Sequence, residues 1–89
     1  MLSEHRDEKE LIKFHGRIGE RIKKVREARL CSQKQLSRRS GLSQSQLSRI
    51  EAGERAASLF SLSRIADALR VSPGYLMKYS GESRVASGE

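Results

Sequence analysis

Within six positions, Gln44, Ser45, Ser48 and Arg49 bring together a carboxamide, two hydroxyls and a guanidinium, with no acid among them. Such groups recognise by hydrogen bonding: a carboxamide and a guanidinium can each make two parallel bonds to one planar partner, and a hydroxyl adapts as donor or acceptor. A surface of this kind suits an acceptor-rich or anionic partner. Holding the four on one face requires a short helix, and the sequence marks its start. Ser43 with Gln46 three residues on reads as a capping box, as does Ser32 with Gln35, so two helix starts lie eleven positions apart. Between them Gly41 supplies the left-handed turn and Leu42 an apolar plug. Leu36, Leu42, Leu47 and Ile50 then form an inward face opposite the polar one. A helix pair joined by a tight glycine turn, with a polar second helix, is the arrangement that places a recognition helix in the major groove of DNA.

The charge is distributed to match. The 89-residue chain carries a formal +7, and residues 11–55 hold twelve Lys or Arg against four Glu, whereas the first ten residues carry four acids and two bases. A basic footprint on the half that holds the helix pair points to a polyanionic partner. With two Tyr, two Phe and no Trp, aromatic platforms for splayed RNA bases are scarce, and duplex DNA is the better polyanion. Cys31 is the single cysteine, so no intramolecular disulfide forms and no cysteine-based metal set is available. Ser40, Ser45 and Ser48 lie near arginines but have no base to complete a nucleophilic site, and no acid pair is spaced for catalysis; an enzyme is not expected. No apolar run reaches the ~18 residues of a membrane span, and no secretory signal is present, so a cytoplasmic location is expected.

The remaining elements serve as support. Residues 1–16 form a charged extension in which Leu11, Ile12 and Phe14 precede Ile18 at helical spacing, while Gly16 and Gly19 each disfavour an unbroken helix by up to about 1 kcal/mol. Continuity and a break near Gly16 both fit. From Arg17 to Arg29, Ile18, Ile22 and Val25 mark a first domain helix. Cys31 reads as a small buried hydrophobe before a cap rather than a redox switch. Ser58 caps a helix from Leu59 to Leu69 whose Leu59, Leu62, Ile65, Ala66 and Leu69 make an apolar stripe. Ser72 and Pro73 open a last short helix carrying Tyr75, Leu76 and Met77, and residues 80–89 read as a disordered tail after a domain spanning 17–79.

Ile18 to Met77, about two thirds of the chain, resembles the helix-turn-helix domain of the phage repressor, Cro and XRE-type regulator family. The likeness rests on Ile22, Val25 and Arg26, on SQxxL at Ser32 to Leu36, on SGLSQSQLSRIEAGER at Ser40 to Arg55, and on SLxSLxRIADALxVSPxYLM at Ser58 to Met77. One departure is that Leu30 stands where the family generally has a glycine stop. The resemblance implies an all-α, compact five-helix lambda-repressor-like fold with a short N-terminal extension. It also implies sequence-specific binding of double-stranded DNA, as a homodimer on a palindromic operator, with no cofactor and no small-molecule ligand. By position, Gln44, Ser45 and Arg49 match base-reading residues of the second helix. Gln33, Ser43, Arg55 and Arg38 match phosphate partners, and Arg26 and Glu51 a structural ion pair. Leu76, Met77 and Tyr79 are candidates for the dimer contact, although the same residues could close the core. Ala56 and Ala57 stand where several relatives have basic side chains, which implies a weaker phosphate grip there. The competing reading is an antitoxin or adaptor that uses the same fold to hold a partner protein.

Overall fold

The computed structural model describes residues 2–78, with side chains from residue 8 onward except that of residue 12. Five helices follow in order: α1 Leu2–Ala28, α2 Gln33–Ser40, α3 Gln44–Glu51, α4 Leu59–Leu69 and α5 Pro73–Met77. There is no break at Gly16. The extension and the first helix of the domain are one α1, and of its two glycines Gly19 has a packing role. A Cβ on Gly19 would lie 2.1 Å from the Ile50 carbonyl oxygen and 2.8 Å from that of Glu51, so only glycine lets α3 approach this closely. A Cβ on Gly53 would in turn lie 3.0 Å from the Gly16 Cα.

The ends of the helices follow their caps. Ser32 forms a full box, accepting from the Gln35 amide while the Gln35 side chain accepts from the Ser32 amide. The second box is only half made: Ser43 accepts from the Gln46 amide, and no return bond from the Gln46 side chain accompanies it. Ser58 and Ser72 cap α4 and α5 in the same manner. Gly41 closes α2 with φ +80°. Leu30 does what the family's glycine does, adopting φ 54° while the Cys31 amide donates to the Arg26 carbonyl and the Leu30 amide to that of Glu27. These two bonds are a Schellman closure, and the left-handed residue that makes them carries a Cβ that resists the conformation.

Ile22, Leu36, Leu47, Ile50, Ile65, Leu69 and Leu76 make the fully buried centre, with Ile18, Cys31, Leu62 and Ala66 around them. Each of the larger side chains contributes about 1.5–3 kcal/mol of transfer free energy. All five helices meet there, α1 against α3 most extensively and α2 against both α3 and α4. Leu76 corrects an expectation: it is 0% exposed and closes the core, so it offers no surface for a second copy. Met77 is half-buried against the same cluster, and Tyr79 and the tail 80–89 lie outside the described residues.

Candidate nucleic-acid interface

Leu47 and Ile50 fix the orientation of α3 by sinking into the core, and the period of the helix then turns Gln44, Ser45, Ser48 and Arg49 to solvent, where all four are exposed. Polar interactions lock this placement at both ends of the helix. At the N-terminal end, the turn between α2 and α3 is held from three sides. Ser37 Oγ donates to the Leu42 carbonyl, the Leu42 amide donates to Ser40 Oγ, and Arg64 Nε reaches from α4 to donate to the Ser40 carbonyl at 2.7 Å. A Cβ on Gly41 would lie 2.7 Å from Arg64 Nη2, the mobile end of a long side chain, so it is the φ of +80° rather than this contact that calls for glycine.

At the C-terminal end, Arg26 of α1 grips Glu51. Its Nε donates to Oε2 at 2.7 Å, Nη2 to Oε1 at 2.9 Å, and Nη1 to the Cys31 carbonyl at 2.9 Å. Both side chains are nearly excluded from water, at 10% and 4% exposure. The bond to Glu51 raises the Arg26 pKa above its ordinary value, against the lowering effect of burial, so the guanidinium stays charged. Its worth lies in orientation: one guanidinium ties the end of α1, the following turn and the end of α3 into a fixed angle.

Gln33 joins this pair. Its Nε2 donates to Glu51 Oε1 at 3.1 Å, which leaves the half-buried carboxamide a second N–H. Ser43 is exposed, its oxygen engaged by the Gln46 amide and its hydroxyl hydrogen still available to donate. Arg38 and Arg55 are exposed. Thus the base-reading candidates share one exposed face of α3, and Gln33 is tied to the ion pair. The clamp of Ser37, Ser40 and Arg64 went unrecognised in the sequence. Its one signal was an arginine set into the apolar run of α4. Among the described residues no group of three or more His, Cys, Asp or Glu could hold a metal, and no helix is long and apolar enough to cross a membrane.

A helix-turn-helix family model matches residues 22–76. Among solved structures, the restriction-modification controller protein C.AhdI from Aeromonas hydrophila superposes with a TM-score of 0.68 at 34% identity, covering 70% of this chain and 94% of its own. The apo competence regulator ComR from Streptococcus vestibularis also gives 0.68, at 40% identity, over 72% of this chain but only 22% of its own length. No curated protein sequence matches the chain.

Proposed function

The chain belongs to the XRE-type helix-turn-helix family of DNA-binding transcriptional regulators, and from that premise we propose that it binds a palindromic operator as a homodimer in the cytoplasm. One observation carries the reading: α3 has an acid-free exposed face of Gln44, Ser45, Ser48 and Arg49 directly opposite a buried, doubly locked one. A major groove accepts a helix held in this way. Gln44 suits adenine and Arg49 the O6 and N7 of guanine, each in a bidentate pair, with Ser45 adding an adaptable third contact. Gln33, Ser43, Arg38 and Arg55 serve phosphate, which fixes register without reading sequence. One short helix specifies too few base pairs to single out an operator, so two copies act together, with recognition helices about 34 Å apart on inverted half-sites spaced by about ten base pairs. Met77 and Tyr79 remain the C-terminal candidates for the contact between them.

Selection of bound sites from random duplexes tests this. An inverted repeat should emerge, and Arg49→Ala should weaken the selected site by about 1–3 kcal/mol while relaxing one base pair per half-site. Equal weakening on random DNA would make Arg49 a phosphate contact, and no enriched site at all would sink the reading. In that event the partner-holding module takes over, favoured by the neighbouring Leu59 and Phe60, which are 76% and 67% exposed at the start of α4.

A further inference from the structure

In the first half of α1, the described side chains face solvent. Glu8, Lys9, Glu10 and Lys13 are exposed, Leu11 is 53% exposed, and the packed part of the helix begins at Phe14. This arm is also the acid-rich part of the chain, with four acids and two bases in its first ten residues. The other end of the same helix borders a groove against α5, of about 410 Å³, whose rim carries Arg17, Arg21, Lys24 and Lys78 beside Tyr75, with Glu20 the acid among them. Arg21 is held in place there, stacked 5.1 Å from the Tyr75 ring and bonded to the Lys78 carbonyl.

Positions 7, 10, 14, 17, 21 and 24 of α1 alternate spacings of three and four, so they line one face of the helix as a heptad seam. The seam is acidic at Asp7 and Glu10, aromatic at Phe14 and basic at Arg17, Arg21 and Lys24. Two copies of such a seam are complementary only when antiparallel. In the register that sets Glu10 against Arg21, the Asp7 position falls beside Lys24 and Phe14 beside Arg17, each twice by symmetry. Glu20 falls beside Leu11 and Glu8 beside Lys23, and the one like-charge juxtaposition, position 4 with Glu27, lies at the outer end of the overlap. A parallel pair would set acid against acid and base against base. We infer that the acidic arm of α1 lies antiparallel in the basic α1/α5 groove of a second copy, the two arms exchanging about one two-fold axis. The occupant is another copy of this chain because the chain itself carries both complementary halves at matching spacing. This deepens the two-copy reading above and rests on it; it moves the contact from the C-terminal end to α1.

Charge exchange in the full-length chain tests the inference, with mass read by sedimentation at low salt without DNA and helicity checked by circular dichroism. An arm variant carries Asp7→Lys and Glu10→Lys, and a groove variant carries Arg21→Glu and Lys24→Glu. The unaltered chain should be a dimer and each variant alone a monomer, or at least a hundredfold weaker dimer. An equimolar mixture should restore a dimer containing one of each, since basic arm then meets acidic groove and acidic arm meets basic groove. If the groove variant loses helicity through its contacts to Tyr75 and Lys78, Lys24→Glu with Lys78→Glu replaces it. A variant that dimerises like the unaltered chain, a mixture that stays monomeric, or a monomeric unaltered chain overturns the arm exchange. Footprinting on the selected operator keeps the two readings apart. Cooperative protection of both half-sites by an arm variant that still dimerises removes the α1 contact and leaves the homodimer standing, whereas protection of a single half-site by the unaltered chain removes the homodimer itself.

Discussion

Gly16 and Gly19 sit one helical turn apart in α1, yet replacing each by alanine should change stability in opposite directions. In a helix interior, alanine is favoured over glycine by up to about 1 kcal/mol. A Cβ at Gly16 meets nothing within 4 Å, so Gly16→Ala gains that preference without a clash. At Gly19 the new Cβ would stand 2.1 Å from the Ile50 carbonyl oxygen, about 1.3 Å short of ordinary contact at 3.4 Å. Both sides of that clash are backbone, so no rotamer change relieves it and α3 must move away from α1. Overpacking of this kind costs about 1–3 kcal/mol, at the upper end here, and the helix preference offsets only part of it. At roughly 4–8 °C per kcal/mol for a domain of this size, Gly16→Ala should raise the melting temperature by a few degrees and Gly19→Ala lower it by about 8 °C or more. Thermal unfolding followed at 222 nm measures both. Gly19→Ala should also weaken operator binding, because α3 is displaced, while Gly16→Ala leaves it intact. If both variants melt higher than the parent, the close approach of α1 and α3 is wrong.

Two other perturbations follow from the same geometry. Arg26→Met should cost about 3–5 kcal/mol in urea unfolding, since it leaves Glu51, 4% exposed, with an uncompensated charge, whereas Arg26→Met together with Glu51→Leu should cost far less; additive effects in the cycle would refute the coupling. Leu30→Gly should stabilise the fold by about 0.5–1 kcal/mol, because Leu30 holds φ 54° with a side chain 91% exposed and little packing to lose; a lower denaturation midpoint would contradict the Schellman reading.

Sequence alone determined the parts of this protein that are decided within a few residues. The serines that cap α2, α3, α4 and α5 bond to amides three positions away, Gly41 turns where no Cβ is wanted, and the period of α3 separates Leu47 and Ile50 from Gln44, Ser45 and Arg49. Those interactions are short-range, so spacing reveals them. Tertiary structure decided what depends on a distant partner. Local propensity reads Gly16 and Gly19 as weak points in a helix, but α1 runs through both; at Gly19 the end of α3 fills the room that glycine leaves, whereas a Cβ at Gly16 would meet nothing. Gln33 reads in the sequence only as a phosphate partner until the fold brings Glu51 to 3.1 Å from it, and nothing in the sequence singles out the bond from Arg64 to the Ser40 carbonyl, which forms only when α4 lies against the turn. Leu76, equally fit by pattern for a core or an interface, is claimed by the core because α5 folds back over α1 and α4, and burying a leucine inside the chain is favourable at any protein concentration.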